Sequence, residues 1–414
     1  MFRTGGPEQT ARTMNEIESM RPGRARPAGA APAAEGFALW RLGFRPFYLL
    51  AALLAALSVP LWVAQYRGWL HAPHLGLNWH AHEMLYGFAA AVIAGFLFTA
   101  VRNWTDRPTP TGAALAAFAA LWLAGRVLVL TPYGVAAALA VAAFPLAVAA
   151  AIAVPLVRSG NRRNLFLVGL LALIGASALA VHASMAGVVS FGSLPALQVG
   201  LDAVLFIMAA ISGRVLPMFT NNGVPGAGAT RRPLVERAAL GSVLALLAAD
   251  LAGAPAALVL PALAVGAAAH AARLWLWRPW RTFRVPLVWI LHAAYAWIPV
   301  HLALRAAAAA GWVAEPLAVH ALAVGAIGGM TIGMMTRTAR GHTGRTLQAD
   351  GFETACYALV QAAALVRVGV PLALPSLYGA AVAASGALWS AAFGLYALRY
   401  WPVLTRPRID GRPG

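Results

Sequence analysis

Twelve apolar runs, each close to twenty residues, follow one another along this 414-residue chain. They fall at roughly 44–66, 84–101, 112–130, 135–157, 164–188, 195–219, 233–252, 255–275, 285–306, 316–337, 352–372 and 376–400. An α-helix needs about twenty residues to cross a hydrocarbon core. Every backbone N–H and C=O there must be satisfied within the protein, which restricts spanning structures to helices and closed barrels. The runs are too long and too continuous for tilted barrel strands. They predict an all-α fold, a polytopic transmembrane bundle of about twelve helices. Composition agrees, with 61% hydrophobic and only 11% charged residues and a mean hydropathy of +0.71. Trp62, Trp104, Trp275, Trp312 and Trp401 stand at run ends, as an interfacial belt requires.

The 31 basic residues are all Arg, and 27 of them lie in the two tails and one set of alternate loops. The opposite loops hold only Arg67, Arg305 and Arg367. Basic residues collect in cytoplasmic loops, so this bias places both termini in the cytoplasm and requires an even helix count. We divide the chain into a disordered cytoplasmic tail at 1–38, a transmembrane domain at 39–405 and a cytoplasmic tail at 406–414. The first segment is rich in Pro, Gly, Ala and Arg and lacks the apolar stretch of a cleavable signal peptide. No internal repeat is visible by eye.

A net charge of +18 suggests nucleic acid at first sight, but the basic residues are scattered among membrane loops rather than gathered on a soluble face. The single cysteine, Cys356, excludes a disulfide framework, thiolate zinc sites and iron–sulfur clusters built by this chain alone. No phosphate-binding loop, dinucleotide fingerprint or hydrolase motif is present.

Ionisable residues inside a bilayer are costly and mark function. Ten histidines are present. His71 and His74 read as solvated loop residues. His80, His82 and Glu83 form one segment at the outer mouth of the second run. His182, His301 and His320 lie near the outer ends of the fifth, ninth and tenth runs, His270 and His292 lie nearer the cytoplasm, and His342 lies in a cytoplasmic loop. Neutral imidazole is the common protein ligand for copper and haem iron, so imidazoles from several helices suggest a metal or haem site. His80 and His82 do not share a helical face, and Glu83 can orient an imidazole through its free N–H. Interfacial or interhelical hydrogen bonding and a proton relay through Glu83, Asp202 and the histidines are the competing readings. Arg126 lies deepest of the arginines and suggests a propionate or a carboxylate partner, with Asp202 the candidate. Arg214 is expected to snorkel to the cytoplasmic surface. His320 is expected to join His82 and His182, and His292 to serve a second, deeper site with Tyr295 as its hydrogen-bond donor. Gly325–Met330 admits a close neighbour or flat cofactor, and Met330 and Met334 read as packing.

Several segments match one family. Arg41–Phe47, Trp79–Met84, Gly95–Thr105, Gly213–Asn221, Pro286–His292, His320–Leu322, Gly328–Arg337, Gly341–Arg345 and Pro407–Gly411 make the chain resemble the NnrS family, over nearly everything after residue 38. Members are bacterial inner-membrane proteins described as containing haem and copper and linked to nitric oxide stress. The resemblance implies b-type haem and copper as cofactors, nitric oxide or a related small molecule as partner, and His80, His82, His292, His320 and His342 as the positions to watch. Thr346 departs from the pattern where Pro is expected, and His301 departs where an apolar residue is expected. Two functions stand side by side at this point: redox or nitric oxide chemistry at His-ligated metal, and a transporter or metal-handling protein without turnover.

Overall fold

The computed structural model of the protein describes residues 36–72 and 74–412. The tail expected over 1–38 lies almost wholly outside them. Each of the twelve apolar runs is a helix, and the described residues contain no strand. We number them α1 (Phe44–Tyr66), α2 (Leu77–Thr105), α3 (Gly112–Leu128), α4 (Gly134–Arg158), α5 (Phe166–Met185), α6 (Ser193–Gly223), α7 (Pro233–Leu251), α8 (Ala256–Leu276), α9 (Pro286–Ala309), α10 (Glu315–His342), α11 (Gly351–Ala373) and α12 (Tyr378–Thr405). Ten are long and apolar enough to cross a membrane; the others are the shorter α3 and α7, which carries Glu236, Arg237 and Asp250. The two ends of the described chain meet on one face. The Ala38 N–H donates to the Thr405 carbonyl at 2.7 Å, and the Arg45 guanidinium donates to the carbonyls of Leu404 and Arg406 at 2.9 and 2.8 Å. An even number of crossings is required for that.

The structure contains an internal repeat that the sequence hides. Helices α1, α5 and α9 begin at Phe44, Phe166 and Pro286, about 120 residues apart, so the chain divides into three units of four helices. The units close into a ring, α4 packing on α5, α8 on α9 and α12 on α1. The second helix of each unit stands inside. In their most apolar windows α2, α6 and α10 are 78%, 72% and 67% buried, against 33–56% for the other spanning helices. α2 touches α6 and α10, and Ser212 of α6 reaches the Met330 sulfur of α10.

The first and third units match in detail. Gly87 and Gly95 follow His82 at the spacing by which Gly325 and Gly333 follow His320. A Cβ at Gly87 would strike Leu54 and one at Gly325 would strike Trp297; Gly95 and Gly333 lie in the same way against Phe47 and Ile290 of α1 and α9. α2 and α10 each widen into a π-helical stretch directly after that histidine, at Glu83–Ala89 and Ala321–Gly328. Such stretches disturb the i→i−4 ladder and are frequent at functional sites. The indole N–H of Trp122 donates to the Gly87 carbonyl within the first of them. Hydropathy keeps only the period of such a repeat, and α6 has no π stretch, so little of it survives in the residue pattern.

A candidate metal-binding centre on the arginine-poor side

Successive residues on a helix turn by about 100°, so His80 and His82 point to different sides of the first turns of α2. His82 is buried, and its Nδ1–H donates to the Glu83 carboxylate at 2.9 Å. The lone pair of a neutral His82 is thereby on Nε2, which lies 3.1 Å from Nε2 of His182 on α5. Glu83 is itself buried and paired with Arg126 of α3, whose Nε stands 3.3 Å from its other oxygen. That approach is an ion pair without hydrogen-bond alignment, and two buried N–H groups of Arg126 have no hydrogen-bond partner among the described residues. Tyr86, one turn after His82, packs edge-to-face with the imidazole and shares a hydrogen bond with Ser177 of α5.

The two ring nitrogens are spaced as two ligands of one ion, each about 2.0 Å from the metal. His82 carries the carboxylate brace on its other nitrogen that metal-bound imidazoles commonly have. Both imidazoles line a cleft of about 610 Å3 together with His74, Trp79, Thr131 and Met185. Among the described residues no group of three or more His, Cys, Asp and Glu side chains comes together as a ligand set. The donors lining the cleft are therefore the His82–His182 pair, a third imidazole at His74 and the Met185 thioether, a soft N/S set that suits Cu(I).

His80 faces the other way. Its ring stacks on Trp62 of α1, with centroids 4.2 Å apart, and lies nearly parallel to His320 of α10, with centroids 6.4 Å apart and planes within 9°. The Nδ1–H of His320 is given to the Pro316 carbonyl at 2.6 Å, which leaves Nε2 as its lone-pair nitrogen. His80 Nδ1 is buried without a hydrogen-bond partner among the described residues. Arg367, in a π-helical stretch of α11, acts electrostatically on both rings; it donates to the Tyr378 hydroxyl at 3.0 Å, keeps a buried Nη1 without a partner and has no acidic partner among the described residues. Two imidazoles beside a buried cation without a carboxylate fit an iron-bound group with acidic substituents.

The other expected positions lie elsewhere. His320 stands with His80, not with His82 and His182. Arg126 pairs with Glu83, while Asp202 pairs with Arg305 at 3.4 Å, because α3 faces α2 and α9 faces α6. His292 is buried near the arginine-rich side, where its Nε2 shares a hydrogen bond with Thr220. Tyr295 does not serve it: its hydroxyl is 2.6 Å from His270 Nδ1 and 2.9 Å from Arg273. Arg214 reaches Asn164 at 2.6 Å, and Cys356 is buried. His342 lies against the Phe44 ring, and its loop clamps the C-terminal tail: Arg408 donates to the His342 carbonyl and the Ile409 N–H to that of Thr343. Asp410 accepts from Arg408, whose guanidinium holds its carboxyl below the usual range.

Sequence reasoning passed over Arg367 and Trp62, an opposite-loop arginine and a belt tryptophan by position. The signal available for Arg367 was its lack of a nearby acidic residue in sequence.

The fold and these paired imidazoles define a twelve-helix membrane protein with histidine pairs sunk into its arginine-poor half. The NnrS protein family matches residues 38–408, nearly the whole chain, and the chain belongs to that family. It is thus a membrane protein of the group connected with nitric oxide stress. Among curated proteins, no sequence matches significantly.

Proposed function

We propose that the protein binds copper and b-type haem in the bacterial inner membrane and acts in nitric oxide tolerance through redox or nitric oxide chemistry at these metals. The observation that carries this reading is the split of the Trp79–Glu83 segment. Two imidazoles from one turn of α2 face opposite ways, and each meets another imidazole from a different unit. His82 and His182, with Met185 lining the same cleft, are assigned to copper. His80 and His320 are assigned to haem, with Arg367 for its carboxylates. Bound there, the two metals supply one-electron chemistry and a place for nitric oxide to coordinate. Glu83 fixes the tautomer of His82, Arg126 balances Glu83, and Trp62 covers one face of His80.

Metal analysis and visible spectroscopy of the purified protein test this. The expected result is a Soret band that shifts with nitric oxide, with copper lost selectively in His182→Ala and haem in His320→Ala. A colourless, metal-free protein would overturn the assignment. That result would favour a transporter or metal-handling protein, for which the open cleft beside His82 also provides an entrance.

A further inference from the structure

The three units place a polar cluster at three corresponding points on the arginine-poor side. Each is built from the central helix of a unit, the helix after it and the first helix of the next unit. In the first unit these residues are His82, Arg126 and His182, and in the third they are His320, Arg367 and Trp62, with His80 between. In the second they are Asp202 of α6, Asp250 of α7 and Arg305 of α9. The second cluster has carboxylates where the other two have imidazoles, and no reading of the histidine pairs uses it.

Its charge does not balance. Arg305 grips both oxygens of Asp250, at 2.6 and 2.5 Å, and lies 3.4 Å from Asp202 Oδ1. Gln198 donates to that same Oδ1 at 2.8 Å. Asp202 is wholly buried, and its Oδ2 has no aligned hydrogen-bond partner among the described residues. One guanidinium thus serves two carboxyl groups, one of them sealed from water, where a second negative charge is strongly disfavoured. A metal cation is poorly suited to supply the missing positive charge, because the guanidinium already occupies the mouth of Asp250. A proton needs no such room.

A histidine shares this environment. His301 lies one turn before Arg305 on the same face of α9, is fully buried, and interacts electrostatically with Arg305 and Asp250. Its Nδ1 is 2.7 Å from the Ala318 carbonyl, which can only accept, so Nδ1 carries the hydrogen. Nε2 is left as a buried lone pair without a partner among the described residues. The remaining charged groups facing the cluster are Glu315, which acts on Arg305, and, further inward on α8, His270 and Arg273.

We propose that Asp202, Asp250 and Arg305 form a proton-holding site, in which the two carboxyl groups share one exchangeable proton and His301, one turn from Arg305 on α9, accepts it at Nε2. In the transfer the carboxyl O–H bond breaks and an N–H bond forms at Nε2, leaving a carboxylate pair and an imidazolium, with no change in total charge. Intramembrane carboxyl and imidazole groups of this kind commonly mark proton relays.

Infrared difference spectra of the full chain in detergent test the proposal. The wild type at neutral pH is expected to show a protonated-carboxyl carbonyl band that shifts in D2O. The band should vanish in Asp202→Asn and Asp250→Asn and persist, displaced, in Asp202→Glu, which also controls for folding. His301→Phe should slow the D2O shift of that band several-fold. A wild type without the band, a band unchanged in Asp202→Asn, or loss of the band on adding sodium chloride at constant pH would overturn the site. An unchanged exchange rate in His301→Phe would overturn the role of His301.

Discussion

Removing one partner of the Glu83–Arg126 pair should destabilise the protein far more than removing both. The side chains are 2% and 8% exposed, with Nε and Oε2 3.3 Å apart. At an effective dielectric constant near 20 their attraction is about 5 kcal/mol. Glu83→Leu leaves a buried guanidinium and Arg126→Met a buried carboxylate, and breaking a buried pair from one side costs about 3–5 kcal/mol. The double variant Glu83→Leu/Arg126→Met removes both charges and their desolvation, so most of the stability should return, short by about 1–3 kcal/mol for the buried His82 Nδ1–H left without an acceptor. Copper should behave differently. His82 loses the acceptor for its Nδ1–H in both Glu83→Leu and the double variant, so affinity should fall about 10–100-fold in each. Reversible unfolding in mixed micelles and copper titration read the two quantities on the same samples. Single variants within about 1 kcal/mol of the wild type, or a double variant as unstable as the sum of the singles, would refute the buried-pair argument. Recovery of copper affinity in the double variant would refute the brace.

Two further outcomes are expected. A C-terminal alkaline phosphatase fusion should be inactive and a C-terminal fluorescent fusion bright, because 27 of 31 arginines mark the terminal face as cytoplasmic; an active phosphatase would reverse the topology. Asp410→Asn should speed hydrogen exchange at the Ile409 amide. In the wild type the same loosening should set in on acidification: the folded-state carboxyl sits below its unfolded value, so its contribution is present above the unfolded pKa and lost as pH falls through the folded one. Unchanged exchange in the variant would mean that Arg408 alone secures the clamp.

How much of this could be read in advance depended on the length scale of the signal. A hydrocarbon core imposes twenty apolar residues on every crossing, so all twelve helices stood in the hydropathy, most within a few residues, although α2 begins at Leu77, seven residues before its apolar run. The pairing of side chains did not, because it depends on how helices rotate and which neighbours they meet. His82 and Glu83 share a segment, and their cooperation was legible. Asp202 was offered to Arg126 because both are deep charges of opposite sign; the ring of units instead turns α6 toward α9. His320 was placed with His82 by depth alone, which gives height in the membrane and says nothing of azimuth.

Azimuth is also what separates the three clusters. Corresponding points on one scaffold hold a braced imidazole pair, a nearly parallel imidazole pair beside a cation without an acidic partner among the described residues, and a carboxyl pair around one guanidinium. The backbone is most alike where imidazoles stand, since α2 and α10 both widen into π stretches after their histidines while α6 stays α-helical through Asp202. A π stretch shifts every later side chain around its helix, so it can hold a histidine toward a neighbouring unit while Gly87 or Gly325 still packs against the first helix of its own unit. In α6 the carboxylate meets α7 and α9 without that shift. On this argument, the unit lacking the π stretch is the one free to carry carboxyl chemistry in place of imidazoles.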